Sequence, residues 1–213
     1  MTEHSLYDLE KMYDFISTSK AFSWGVYPLI SQGRAMYNNI KEAKIESTAQ
    51  IISNILLRYF DDNCPFFFEV EYLFIPELLD TDWSETTIVA KPEFHPCEYQ
   101  INAVTIRLNG DVSQCSRLQE SFGNIYNNSL QEILSGEPRI TYLKRTLNEI
   151  TECISCKYLP LCHGGCPGRR QLMGIEKDKA DHIACGYMEA FERYILSILP
   201  YETQARIKSL ILL

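Results

Sequence analysis

Eight cysteines are the residues of this chain whose type and spacing could do chemistry. They are Cys64, Cys97, Cys115, Cys153, Cys156, Cys162, Cys166 and Cys185. Only Cys64 lies outside the stretch from residue 97 to residue 185. A Cys-x2-Cys spacing, as in Cys153–Cys156, brings two thiolates to one side of a tight turn, ready to bind a metal ion or the iron of a cluster. Nothing in the sequence indicates the oxidising compartment in which disulfides persist. The set therefore predicts metal ligation, with disulfides as the lesser alternative.

The residues around these thiols favour an iron–sulfur cluster over zinc. Gly164 and Gly165 permit left-handed backbone angles and carry no Cβ atom to keep their N–H groups away from cluster sulfurs. Hydrogen bonds to those sulfurs help to set a cluster's reduction potential. Pro167 directly after Cys166 is typical of the end of bacterial ferredoxin cysteine runs. Zinc held by three or four thiolates is the alternative.

The composition indicates a folded, acidic protein. Of the 213 residues 46% are apolar, and 28 acidic against 20 basic residues give a formal net charge of −8. Binding to nucleic acid needs clustered Lys and Arg, so a general nucleic-acid binder is not expected. The N-terminal sequence lacks the features of a secretory signal, and no apolar run approaches the ~20 residues that cross a bilayer. We expect a soluble, cytoplasmic protein with no membrane partner.

The first half of the chain has alternating helix and strand patterns. Apolar residues at helical spacing predict helices over residues 5–18 and 47–60. Aromatic and β-branched runs predict strands at Phe22–Leu29 and Phe66–Phe74, and Gly33-Arg34-Ala35 is predicted as a loop. This alternation is typical of βα units, although there are too few of them to close a barrel.

The second half begins with an expected β-hairpin. Alternating residues predict strands over 104–108 and 111–115, joined by a two-residue Asn109-Gly110 turn, and Gly123-Asn124 is predicted as a loop. Helical patterns then follow around a Cys- and Gly-rich knuckle. The predicted segments are a short helix opened by a capping box at Ser129 and ended at Gly136, a helix over 138–150, the knuckle over 153–168, a closing helix over 183–198 and an amphipathic tail over 201–213.

Residues 97–185 resemble the SPASM domain, the C-terminal extension of radical S-adenosylmethionine (radical SAM) enzymes that modify peptides and proteins. The resemblance covers about residues 93–190 and is carried by these motifs besides the cysteines: Asn109-Gly110-Asp111-Val112, Gly123-Asn124-Ile125, Ser129-Leu130-Gln131-Glu132-Ile133 and Cys162-His163-Gly164-Gly165-Cys166-Pro167. The first ninety residues resemble, more weakly, the closing βα units of a radical SAM partial barrel, on the triplet Gly33-Arg34-Ala35.

The resemblance implies an α+β fold in three parts. Residues 1–92 would be the C-terminal βα units of a partial barrel, and residues 93–199 a SPASM domain made of a β-hairpin, helices and the Cys-rich knuckle. Residues 200–213 would form the amphipathic tail, whose apolar stripe packs on the core or on a partner.

The same resemblance implies two auxiliary 4Fe–4S clusters. The ligands of the first would be Cys97, Cys115 and Cys166. The ligands of the second would be Cys153, Cys156, Cys162 and Cys185. Some relatives carry a further cysteine where this chain has Lys91, so the fourth ligand of the first cluster is left open among His95, Glu93, Cys64, water and a substrate atom. Arg169 and Arg170 are expected on a solvated face that offsets the negative charge of the clusters.

The expected function follows from what the chain contains and lacks. Radical SAM chemistry needs a Cys-x3-Cys-x2-Cys loop, but after Cys162-x3-Cys166 the required position holds Arg169. We therefore expect no catalytic residue, with S-adenosylmethionine bound only in a complete enzyme or with a partner chain, and this chain as a fragment, truncated product or split subunit. Its clusters would position a peptide or protein substrate and relay electrons, with a radical SAM core subunit and a redox donor as partners. The alternative is a structural docking module whose metal sites have no redox role.

Overall fold

A computed structural model describes residues 1–84, 88–97 and 103–211, which form two compact units. Unit one comprises residues 1–88 and 185–213, and unit two comprises residues 89–184. Residues 98–102 of the predicted SPASM domain and the last two residues of the predicted tail lie outside the described residues. The division into three domains stays a prediction, whereas the mixture of helices and strands is confirmed.

The helices and strands follow one another along the chain with short connections. In order they are α1 (Leu9–Thr18), β1 (Ser23–Val26), α2 (Arg34–Tyr37), α3 (Ile45–Asp61), β2 (Phe67–Val70), β3 (Thr105–Ile106), β4 (Asp111–Ser113), β5 (Gly123–Asn124), α4 (Leu130–Ser135), α5 (Glu137–Leu143), α6 (Leu159–Cys162), α7 (Pro167–Leu172), α8 (His182–Ala190) and α9 (Tyr201–Ile211). Single 3₁₀ turns lie at Ser5–Asp8, Pro76–Leu79, Leu147–Glu149, Thr151–Cys153 and Leu196–Ile198, and a π-helical turn at Phe191–Ile195. None of the described helices is long and apolar enough to cross a bilayer.

Unit one contains the predicted βα pattern. Strands β1 and β2 pair in parallel, with Ser23 opposite Phe67 and Val26 opposite Val70, and α2 and α3 lie in the connection between them. The two long helices predicted here are confirmed, the first with a 3₁₀ first turn. Two local predictions are wrong: β2 ends at Val70, where the chain turns so that Phe74 bridges back to it, and a short helix begins directly after Gly33.

The core of unit one is built on the inner face of α3. Ile52, Ile55 and Leu56 are fully buried, at the 3–4 residue spacing of one helix face. The aromatic run of β2 stacks on β1 through Phe68 and Trp24, whose ring centroids are 4.9 Å apart. The tail helix α9 also buries Ile207, which is fully inaccessible to solvent. Ile207 of the apolar stripe is therefore buried within this chain.

The sheet of unit two is antiparallel and has the order β3–β4–β5. The predicted hairpin is present, but its two-residue turn is wrong, because Arg107 bonds to Asp111 and three residues form the loop. Gly110 closes this loop at a φ of +84°, the left-handed position that a three-residue hairpin loop reserves for glycine. The predicted loop at Gly123-Asn124 is instead the edge strand β5, which pairs with β4.

In unit two the starts of the helices were predicted more accurately than their lengths. The capping box at the start of α4 is complete, as the sequence predicts: the Ser129 hydroxyl accepts from the Glu132 N–H, and the Glu132 carboxylate accepts from the Ser129 N–H. The helix expected over 138–150 ends at Leu143, and Thr146 then caps a separate 3₁₀ turn. The closing helix runs through residue 198 as predicted, although it changes from α to π and 3₁₀ form after Ala190.

Candidate metal centre

His95 holds the backbone of Cys97, the earliest thiol predicted to ligate the first cluster. The Cys97 N–H donates to His95 Nδ1 at 3.0 Å, which leaves Nε2 protonated, and Nε2 donates to the Tyr142 carbonyl oxygen at 3.1 Å. Burial lowers the pKa of His95 from 6.5, so the imidazole is neutral in this position. Because both ring nitrogens are engaged, His95 in this arrangement orients Cys97 and offers no lone pair to iron.

The second thiol of this set, Cys115, follows strand β4. Its carbonyl oxygen accepts hydrogen bonds from the Ser113 hydroxyl at 3.0 Å and the Leu118 N–H at 3.2 Å. Its half-buried side chain packs against a hydrophobic cluster formed by Val112, Leu118, Phe122, Ile133 and Tyr142. The hairpin therefore holds Cys115 against the hydrophobic cluster that contains Tyr142, the residue whose carbonyl His95 bonds.

Cys166, the third thiol, is contacted by groups of opposite charge. Its N–H donates to Asp181 Oδ2 at 3.0 Å, and Arg117 Nη1 donates to its sulfur at 3.6 Å. Arg117 thus places a positive charge beside this sulfur, where it would offset part of the negative charge of a bound cluster. Pro167 then begins helix α7, so Cys166 is the N-cap residue of this helix.

Asp181 connects the knuckle to helix α8 and is almost fully buried. Its Oδ2 also accepts from Arg169 Nε at 2.9 Å, while its Oδ1 accepts the N–H groups of Ile183 and Ala184 as the cap of α8. The expectation of solvated arginines is wrong: Arg169 is 2% exposed and Arg170 is 6% exposed. Arg170 donates to two backbone carbonyl oxygens of the 177–179 loop. Both arginine side chains are therefore buried and hold the segments around the knuckle together by hydrogen bonds.

Three of the four thiols predicted for the second cluster lie in consecutive turns of unit two. The Cys156 N–H donates to the Cys153 carbonyl at 3.0 Å, and Cys162 ends α6. Cys185 lies on α8, next to the Ala184 N–H that Asp181 caps, and is the first residue of the second segment of unit one. All eight cysteines lie within the described residues, and none of them is joined in a disulfide. Cys64, one of the candidates for the fourth ligand of the first cluster, is exposed.

The glycines of the knuckle are explained by packing against protein atoms. Gly164 and Gly165 have φ values of +70° and +75°, which confirms the left-handed backbone. A Cβ atom on Gly164 would lie 2.6 Å from Ile150 Cδ1, and one on Gly165 would lie 2.4 Å from Asp181 Cβ. The space that was expected to admit cluster sulfurs is taken here by these two side chains. The lack of a Cβ atom at Gly164 and Gly165 lets the knuckle backbone pack directly against Ile150 and Asp181.

The residues around the first set fit a cluster in donor chemistry. Tyr142 is 1% exposed, and its buried hydroxyl has no hydrogen-bond partner among the described residues. Within residues 1–84, 88–97 and 103–211, no three His, Cys, Asp or Glu side chains are gathered closely enough to hold a single metal ion. The thiolates of a 4Fe–4S cluster bind four different irons, so they are spaced more widely than the ligands of one ion. The seven-cysteine assignment stays a prediction.

A pocket of about 270 Å³ lies in unit two beside the first set. His95, Pro96 and Tyr142 line one part of it, which places it next to Cys97 in the chain, and Pro167 brings it next to Cys166. Its other lining residues include apolar and charged ones, among them Leu118, Ile150, Ile175, Glu120, Arg145 and Lys177. Arg145 and Lys177 both approach Glu120, at 2.9 and 3.8 Å. The pocket can hold an amino-acid side chain with an apolar body and a polar end.

Comparison with known proteins identifies the domain to which four of these thiols belong. Residues 97–157 match the family model of SPASM, an iron–sulfur cluster-binding domain. This segment of the chain is similar to SPASM domains. The match includes Cys97, Cys115, Cys153 and Cys156, and it confirms the resemblance stated from the sequence. Iron–sulfur cluster binding is thereby supported for the protein.

The fold is also similar to that of a solved protein with bound AdoMet. The structure of polyhistidine-tagged anSMEcpe with bound AdoMet superposes with a TM-score of 0.58 at 18% sequence identity. The similarity covers 97% of this chain and 56% of that one. This chain therefore spans a little over half the length of its structural neighbour. At this identity the similarity shows the fold, and it extends beyond the SPASM segment to unit one.

Three residues that position the thiols were missed in the sequence analysis. Asp181 could have been found as a helix cap, because it stands just before the predicted closing helix. Arg117 and Tyr142 carry no local signal in the sequence. Arg117 acts on Cys166, 49 positions away, and Tyr142 acts through His95, 47 positions away.

Proposed function

We propose that this chain is the cluster-binding part of a radical SAM enzyme that modifies a peptide or protein. The observation that carries the proposal is the SPASM match over four of seven cysteines that occur in the family's order. The fold similarity to an AdoMet-bound enzyme over nearly the full chain supports the same assignment. The Cys-x3-Cys-x2-Cys loop would be supplied by a polypeptide segment other than these residues.

The proposed ligand sets are those that the family pattern implies. Anaerobic reconstitution with iron and sulfide should give a brown protein with about eight irons, four for each cluster. Replacing Cys166 or Cys156 with alanine should remove about half of the iron. Cys64→Ala is the matched control and should retain all of it, because Cys64 is an exposed thiol outside the proposed sets. A colourless chain that loads only zinc would contradict the proposal.

We further propose that the clusters accept electrons during substrate modification. The Arg117 guanidinium on the Cys166 sulfur supports this role, because positive charge and hydrogen bonds at cluster sulfurs favour the more negative, reduced state. Reversible one-electron reduction, followed by electron paramagnetic resonance (EPR), should yield paramagnetic clusters. Clusters that stay EPR-silent under strong reductant would favour a purely structural role.

The pocket next to Cys97 and Cys166 supports a role in positioning the peptide. Its apolar wall and its Glu120–Arg145 pair suit one side chain of an extended peptide, with the peptide backbone running outside. N-acetylcysteine amide should change the EPR spectrum of the first cluster, whose fourth ligand is not a cysteine of the proposed set. N-acetylalanine amide is the control and should change it little. Equal spectra with both probes would refute direct contact between a substrate thiol and this cluster.

A further inference from the structure

Tyr142 is held beside two of the cysteines proposed for the first cluster. A single imidazole joins it to Cys97, since His95 accepts the Cys97 N–H at 3.0 Å and donates to the Tyr142 carbonyl at 3.1 Å. The rings of His95 and Tyr142 are in contact, with centroids 4.8 Å apart. Cys115 packs against the hydrophobic cluster that contains the Tyr142 ring. Both the backbone and the ring of Tyr142 are therefore fixed relative to these thiols.

The hydroxyl of Tyr142 is a buried donor that the described protein residues do not use. Its side chain is 1% exposed, and its oxygen has no hydrogen-bond partner in the described part of the chain. Burying a hydroxyl without a partner is costly, so a buried hydroxyl is normally paired with protein, an ordered water or a bound group. The hydroxyl belongs to a residue of the hydrophobic cluster against which Cys115 packs, so it is a buried donor beside the first set of thiols.

We propose that the Tyr142 hydroxyl donates a hydrogen bond to a sulfur of the first cluster and raises its reduction potential. The inference rests on the proposed function and extends it to a residue outside the ligand set. A hydrogen bond to a cluster sulfur strengthens as the sulfur gains negative charge, so it stabilises the reduced cluster more than the oxidised one. Tyr142 is therefore a tuning and positioning residue.

The first experiment compares two tyrosine-to-phenylalanine variants of the reconstituted chain. Tyr142→Phe keeps the ring that packs in the hydrophobic cluster and removes only the donor. EPR-monitored redox titration should show one of the two midpoint potentials shifted downward, with the other unchanged. Tyr126→Phe is the matched control in the same unit, because Tyr126 is 75% exposed, and it should shift neither potential. Two unchanged potentials in an iron-loaded Tyr142→Phe protein would overturn the inference.

A second variant keeps the inference testable even when Tyr142→Phe folds poorly. Tyr142→3-fluorotyrosine retains the shape and the hydroxyl but makes the hydroxyl a stronger acid and hence a stronger donor. The same midpoint potential should then shift upward, the opposite direction from phenylalanine. A residue with only a packing role would give no shift, and that result would refute the proposal. Failure of the unmodified chain to bind iron would contradict the proposed function instead, so the two failures are distinguishable.

Discussion

Asp181→Ala should destabilise unit two more than any substitution at an exposed position. Asp181 is 1% exposed, and its carboxylate accepts from Arg169 Nε and the Cys166 N–H while also capping α8. Removing one partner of a buried ion pair costs about 3–5 kcal/mol, because the other charge stays buried without it. Loss of the helix cap, worth about 0.5–2 kcal/mol by itself, overlaps with this cost. We expect the free energy of unfolding to fall by about 3–5 kcal/mol.

The measurement is urea unfolding of the two proteins under anaerobic, reducing conditions, followed by circular dichroism. A lower midpoint with an unchanged slope reports a loss of stability and not a change in compactness. Asp178→Ala is the matched control: its side chain is 46% exposed and lies 3.9 Å from Lys179, so the change should stay within about 0.5 kcal/mol.

A double-mutant cycle identifies the source of the loss. In an Arg169→Met background no guanidinium remains to be buried without its carboxylate, so Asp181→Ala should cost markedly less there than in the natural chain. Equal costs in both backgrounds would show that the ion pair is not the cause. A loss below about 1 kcal/mol in the natural background would refute the central role of Asp181 in the knuckle.

Three further predictions concern other parts of the fold. Ser129→Ala removes the capping-box acceptor of the Glu132 N–H and should cost about 1 kcal/mol in urea unfolding, and an unchanged midpoint would contradict it. Ile207→Ala should cost about 2–5 kcal/mol because the side chain is fully buried in unit one, whereas exposed Lys208→Ala should be nearly neutral; equal effects would show that the tail helix does not pack there. The hydrogen bond from Tyr194, and after it that from Arg193, hold the pKa of Glu46 below its ordinary value of about 4.5. The ionised Glu46 therefore stabilises the folded protein above pH 4.5, and this stabilisation is lost as the pH falls through the lowered pKa. Glu46→Gln should therefore lower the melting temperature at neutral pH but not in strong acid, and a pH-independent difference would contradict this.

The local elements of the fold were predictable because their causes are local. The amphipathic spacing of α3 and the capping box at Ser129 depend on residues within one or two turns of each other, and both are confirmed. The hairpin was located correctly, yet its loop length was wrong, because strand register depends on which cross-strand partners are buried. Edge strand β5 was missed for a different reason, because a strand of two residues carries no periodic signal.

The spacing of the cysteines was enough to indicate metal ligation, and together with the motifs between them it resembled the SPASM domain, which the family match over residues 97–157 confirms. This was possible because thiolate spacing is a property of the chain before it folds. Only the tertiary structure decided what surrounds the thiols: that His95 engages both of its nitrogens, that Asp181 and Arg169 are buried together, and that the Tyr142 hydroxyl is buried with no partner among the described residues. Burial and pairing depend on residues far apart in the sequence, so no local pattern encodes them.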